Sequence, residues 1–456
     1  MLRTNLVRLS SALAILALCG GVVSRAQVKQ ADATWGGDRP LDPSITRTYV
    51  PLGSGTPGVL YEPVKPGEKS HIAIVVMHGG DYLTFPTCFE LSMRGYRVLC
   101  ANPAGTGTDA SLLSVKLAVN YARHYPGVDK VVLFGHSGGG VLMSTYQNIA
   151  ENGVKICQDS DKLLKCPDSL AGLPAADGVI LEDANWGFMG LLSFDPSVIS
   201  YDSGMKIDPE FNLFNPANGF NPAGSDYSPE FIRKFQSQVA KRYMEVVNAA
   251  EDRLAAIQAG KGRFADDEPF SVASGGSSVP SNKLFAQDVK LMSRTKNPFP
   301  LIHKDGSVTT EVVHTVRIPE NPKSNTQLLN GGGSNGTVKS FLRSAIRVSP
   351  DFSYNESSIH GVDYHSSYTN TVGNSEGIHV PLLFVGNTGH WEYLVGESVY
   401  EHTASTDKSL AFLEGAYHSL NACTPCEKVP GQYGDTIKPL FDYMDQWLSR
   451  SGRFTR

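Results

Sequence analysis

The sequence predicts an α/β protein with a mostly parallel central sheet, helices on both faces, and an inserted, largely helical and irregular cap. Three observations carry this expectation. Short, almost continuously apolar runs bounded by turn residues, such as His71-Ile-Ala-Ile-Val-Val-Met77, read as strands buried on both faces. Helical stretches stand between them, and strands alternating with helices imply parallel pairing through crossovers. The alternation stops near residue 190 and resumes near 380, with a polar stretch rich in Gly, Ser, Asn and Pro between.

Taken in order, the chain opens with Arg3 and Arg8 ahead of an apolar run, Ala12 to Val23, and a small-x-small site at Ser24-Arg25-Ala26. About twelve apolar residues are too few to span a bilayer, so residues 1–26 read as a cleavable signal peptide. A lipoprotein signal using Cys19 is the competing reading, with bulky Leu18 standing where small residues are usual. The expected destination is secreted or periplasmic. Residues 27–190 then form the first part of the core. Its strands are His71–Met77, Tyr96–Ala101, Val131–Phe134 and Gly178–Leu181, with helical stretches over Ala110–His124 and Val141–Ile149. In the first helix Leu112, Val115, Ala118, Val119 and Ala122 recur at helical spacing. Residues 191–350 read as the cap, with one long helix from Pro229 to Ala259. Residues 351–456 return to the core through strands at Val380–Val385 and Ser409–Leu413 and a closing helix from Thr436 to Leu448.

Composition narrows the function. The apolar content of 41% and charged content of 19% suit a globular protein with a large core, and a net charge of −5 gives no basic stripe for a nucleic acid. No later stretch is apolar enough to cross a membrane. Six cysteines remain after the leader: Cys88, Cys100, Cys157, Cys166, Cys423 and Cys426. An even count in an exported chain suits disulfides. Cys157 and Cys166 flank a short polar segment and read as a loop staple. Cys423-Thr-Pro-Cys426 lacks the βαβ context of a redox motif, so its role reads as structural. No second paired ligand set completes a zinc site with it, and His360 and His365 lack the spacing of a helical metal motif.

The chemistry concentrates at Gly135-His136-Ser137-Gly138-Gly139. A buried strand runs into it and a helix leaves it, which is the context a G-x-S-x-G nucleophile requires. The serine must project above a very sharp turn, and flanking glycines remove the Cβ clashes of that turn. The helix N-terminus places positive potential where an anion forms. Upstream, His78-Gly79-Gly80 ends a strand and offers backbone N–H groups close to a substrate. Gly80 and Gly138 are therefore the expected oxyanion donors. His418, following the last buried strand, is the expected base, since the order serine, acid, histidine calls for a late histidine. The acid is expected in the loop after the penultimate strand, where Glu392 stands nearest the required place and Glu397 begins the next helix. Asp183, at the end of the strand Val179–Leu181, competes with it; Asp407 precedes the last strand, at the wrong sheet edge.

These four pieces, namely His78-Gly79-Gly80, the turn Asn102-Pro-Ala-Gly-Thr-Gly107, Gly135–Gly139 and Glu414-Gly-Ala-Tyr-His418, resemble the α/β-hydrolase superfamily. The resemblance covers residues 70–190 and 380–450. It implies an α/β-hydrolase fold, an acyl-enzyme on Ser137, a small-molecule ester substrate and no cofactor. The missing aspartate after the penultimate strand departs from the pattern, and residues 191–350 match no recognised cap. Two other functions stay open: an amidase or peptidase on the same residues, and a non-catalytic binding protein of the same fold. Aromatics early in the cap, including Phe188, Phe194, Phe211, Phe214 and Phe220, could line a pocket or form the cap's own core.

Overall fold

A computed structural model describes residues 40–200, 206–272, 283–320 and 334–455. The expected signal peptide lies outside the described residues. Ten strands form one sheet: β1 (Ile45–Pro51), β2 (Pro57–Pro63), β3 (Ile72–Met77), β4 (Arg97–Ala101), β5 (Lys130–His136), β6 (Gly178–Glu182), β7 (Arg294–Ile302), β8 (Val308–His314), β9 (Leu382–Asn387) and β10 (Lys408–Leu413). Across the sheet they run β1-β2-β4-β3-β5-β6-β9-β10-β7-β8. Antiparallel pairs occur at the two ends, β1 with β2, β2 with β4, and β7 with β8. The strands between are parallel. This order, with its crossover between β3 and β4, is that of an α/β-hydrolase fold.

Burial on both faces explains the apolar runs. Ile72, Ile74 and Val76 of β3 enter one core, together with Val132 and Phe134 of β5. Ala73, Val75 and Met77 alternate into the other, together with Val131 and Leu133. The first face is covered by α1 (Pro86–Met93) and α5 (Ile437–Leu448), through Phe89, Leu91, Leu440, Phe441 and Met444. The second is covered by α2 (Thr108–His124) and α3 (Gly138–Asn152), and the spaced residues Leu112, Val115, Ala118 and Val119 are the ones that α2 buries.

The stretch expected as a cap has two parts. Its long helix is α4 (Pro229–Gln258), started by Ser228, whose side chain accepts from the Phe231 N–H. Phe235, Val239, Tyr243, Val247, Ala250 and Leu254 form its buried stripe. Phe188 and Phe194 join that same core and Phe214 packs on it. The second part corrects the sequence expectation: β7 and β8 belong to the central sheet, not to a separate cap. Only Leu301 and Ile302 of β7 pair with β10, and its outer half carries Lys296, Pro298 and Pro300. A polar, proline-bearing edge strand lacks the continuous apolar signature of a buried one.

The cysteines pair as Cys88–Cys100, Cys157–Cys166 and Cys423–Cys426. The first ties α1 to β4 under the turn that carries Asn102. No helix among the described residues is long and apolar enough to cross a membrane.

Candidate active site

The parallel strands β3, β5, β6 and β9 deliver their C-terminal ends to one edge, and the candidate residues lie there. Between β5 and α3, Ser137 adopts φ 56° and ψ −127°, a strained conformation that aims its side chain above the sheet. Gly135, Gly139 and Gly140 around it have no room for a side chain, because the helix starts hard against two strands. A Cβ on Gly135 would stand 2.7 Å from Gly140 Cα, and one on Gly139 would stand 2.7 Å from the Met77 carbonyl. A Cβ on Gly140 would overlap the Cβ of Ala184. Gly140→Ala is therefore expected to destabilise the fold by about 2 kcal/mol or more. Denaturant unfolding checks this, and a change under about 0.5 kcal/mol would contradict the tight approach.

His418 Nε2 lies 2.9 Å from Ser137 Oγ, so the structure brings those two sequence candidates together. The imidazole's other nitrogen, Nδ1, lies 2.7 Å from Asp183 Oδ2. The carboxylate in contact with that nitrogen is Asp183, where the sequence pointed to Glu392. Glu392 Oε2 stands 3.6 Å from His418 Nδ1, beyond hydrogen-bonding distance, and has no hydrogen-bond partner. Asp183 holds the contact because β6 lies between β5 and β9: the Ser137 N–H donates to the Glu182 carbonyl, and the Asp183 N–H to that of Val385. Asp183 then turns at φ 39°, and the Asn387 N–H donates to its Oδ1. Glu397 lies elsewhere, accepting from the backbone of Lys296 and Asn297. Asp407 pairs with Arg453.

Electrostatics separate the two carboxylates. Burial opposes ionisation of Asp183, but the imidazoles of His390 and His418 outweigh it and hold its pKa well below the usual range. Burial pushes Glu392 up to about 8. For His418, burial favours the neutral ring, while Glu392 and Asp183 outweigh it and hold the pKa above the ordinary 6.5. An ionised Asp183 can only accept, so the neutral ring of His418 carries its proton on Nδ1 and presents the Nε2 lone pair to Ser137.

His136 and His78 support this centre. His136 is fully buried and donates from Nε2 to the His418 carbonyl at 2.8 Å, which leaves Nδ1 to accept from the Tyr82 hydroxyl at 2.5 Å. It fixes the backbone that carries His418. Tyr82 is placed in turn by Asn102, whose Oδ1 accepts from the Tyr82 N–H. At the candidate oxyanion donors, the Gly138 N–H begins α3, where helix geometry provides no internal acceptor. The expected second donor, Gly80, instead gives its N–H to His78 Nδ1 at 3.0 Å. That bond assigns the His78 proton to Nε2. Burial lowers the His78 pKa to about 4, so the ring is a neutral donor. His78 Nε2 reaches within 3.1 Å of the position a Cβ on Gly138 would take, and Asn185 Nδ2 within 3.6 Å.

Sequence reasoning did not anticipate His390 here. It follows β9, and its Nδ1 lies 2.9 Å from the same Asp183 oxygen. Its place in the β9 loop beside Glu392 was the available signal.

No protein-family model matches the chain, and no curated protein matches it. Among solved structures it is similar to Est1E from Butyrivibrio proteoclasticus at 10% identity and a TM-score of 0.38, over 88% of this chain and 97% of that one. It is also similar to the siderophore hydrolase EstB from Aspergillus fumigatus at 12% identity and a TM-score of 0.39, over 91% and 99%. Esterase B from Lactobacillus rhamnosis gives 12% and 0.38, over 97% and 98%. Likeness at this distance carries across neither substrate nor residue roles.

Proposed function

We propose that this chain, an α/β hydrolase by fold, cleaves a carboxylic ester of a small molecule through an acyl-enzyme on Ser137. The observation that carries the reading is the chain of contacts from Ser137 Oγ to His418 Nε2 at 2.9 Å and from His418 Nδ1 to Asp183 at 2.7 Å. His418 takes the serine proton as Oγ attacks the acyl carbon. Asp183 holds the ring's orientation and stabilises the imidazolium. The proton passes to the leaving alcohol as the tetrahedral intermediate collapses. His418 then draws a proton from water, which attacks the acyl-enzyme and frees the acid. In this reading Asp183, not Glu392, is the acid.

The developing oxyanion is met by the Gly138 N–H and by His78 Nε2–H, with Gly80 orienting His78 rather than donating itself. His78→Ala is expected to lower kcat about 10²–10³-fold, the usual cost of one lost oxyanion donor. A change within a few-fold would return the role to Gly80. The three disulfides support the expected export, because such bonds persist in oxidising compartments.

The test is turnover of p-nitrophenyl esters of increasing acyl length at several pH values. His418 acts as base only when neutral, so kcat/KM falls as pH drops through its pKa. With that pKa raised, the acid limb should have its midpoint above 6.5. Turnover of no ester would overturn the function, and a midpoint below 6.5 would overturn the placement of the carboxylates around His418.

A further inference from the structure

On the side of His418 away from Ser137, one donor atom each from Asp183, His390, Glu392 and His418 lie within 4.8 Å of one another. Asp183 Oδ2 lies 2.7 Å from His418 Nδ1 and 2.9 Å from His390 Nδ1. Glu392 Oε2 lies 3.6 Å and 3.9 Å from those same nitrogens. A tetrahedral ion with bonds of about 2.0–2.2 Å sets its ligand atoms roughly 3.3–3.6 Å apart. The observed separations lie on both sides of that value, so seating an ion requires the short contacts to open by about half an ångström and the longest to close by up to about one ångström.

Glu392 supplies a second observation. The residue is 3% exposed, and Oε2 is aimed into the cluster without a hydrogen-bond partner. A buried, unsatisfied carboxylate oxygen is costly. The proposed ester hydrolysis uses neither Glu392 nor His390.

We propose that Asp183, His390, Glu392 and His418 form a binding site for one zinc-class divalent cation, and that its binding switches the hydrolase off. Two carboxylates and two neutral imidazoles balance the ion's charge, which suits a buried position. Imidazole nitrogens favour zinc and its neighbours over magnesium or calcium. The Asn387 N–H holds the remaining oxygen of Asp183, and His136 holds the His418 carbonyl, so two of the ligands are oriented from behind. The switch follows from the tautomer. A metal on His418 Nδ1 takes the lone pair there, and the neutral ring must then carry its proton on Nε2. That nitrogen donates toward Ser137 and cannot accept its proton. The binding half of the proposal stands on the cluster alone, whereas the switching half rests on the roles assigned above to Ser137 and His418.

The experiment titrates chelator-treated full-length chain with zinc chloride against a chromophoric competitor. Ser137→Ala, His390→Ala and Glu392→Gln are titrated in parallel, and circular dichroism melts confirm that each is folded. One zinc per chain is expected in the wild type and in Ser137→Ala, with affinity at least about tenfold weaker in the other two. Ester turnover should fall in step with zinc occupancy and return with excess chelator. Failure to bind one equivalent, or undiminished binding in both His390→Ala and Glu392→Gln, would overturn the site. Full turnover at saturating zinc would overturn the switch. Zinc bound at these residues in a chain that hydrolyses no ester would support the site and refute the esterase reading.

Discussion

Asp183→Asn is expected to lower kcat on a good ester about 10⁴-fold, while Glu392→Gln lowers it by less than about tenfold. The contrast follows from two distances and one tautomer. Asp183 accepts from His418 Nδ1 at 2.7 Å, whereas Glu392 stays at 3.6 Å. An amide at position 183 can turn its NH₂ to the ring, which stabilises the proton on Nε2 and removes the base. It also strips the imidazolium of its counter-charge in a buried setting. Glu392→Gln keeps size and burial and removes a group that burial already disfavours as an anion. Steady-state kinetics of both variants decide the matter. Equal losses, or the larger loss at Glu392, would return the acid to the loop after β9.

Ser137→Ala is expected to cost on the order of 10⁶ in kcat. It should bring little loss of stability, because the strained backbone there disfavours the serine as much as an alanine. The residual rate comes from the oxyanion donors and substrate positioning, which the substitution leaves in place. His418→Ala should fall about as far, and the double variant scarcely further, because the two residues act as one unit. Losses that multiply in the double variant would mean that serine and histidine work independently.

The candidate site was partly legible in the sequence, and the reason differs from residue to residue. Ser137 announced itself because its constraint is local: strand, turn and helix are consecutive, and the glycines answer clashes within and beside that turn. His418 was legible through order alone, as the residue beyond the last buried strand. Asp183 and Glu392 both sit past the ends of β6 and β9, which are neighbours in the sheet. Sheet order therefore brings both carboxylates to the same imidazole. What separates them is the positive φ at Asp183 and a reach that places Glu392 Oε2 too far away, and neither leaves a mark on residue type. The contact that Gly80 makes was hidden for a related reason. A glycine pair signals a close backbone approach, but not that His78 turns back to take the N–H.

The same limits governed the fold. Strands β3, β5, β6 and β9 are central, and burial on both faces writes itself as unbroken apolar sequence. Strands β7 and β8 pair at the margin and expose much of their length, so their polar and proline residues read as part of an insertion. An edge strand exposed on both faces, unlike an amphipathic stripe such as that of α4, carries no apolar periodicity to mark its pairing.

The central claim is that Ser137 becomes acylated. Intact-protein mass spectrometry of the chain mixed with a p-nitrophenyl ester and quenched in acid within the first turnover tests it most directly. One acyl group per chain, located on the peptide containing Ser137 and absent from Ser137→Ala, is the predicted result. Ester turnover with no covalent adduct, or an adduct that persists in Ser137→Ala, would contradict it.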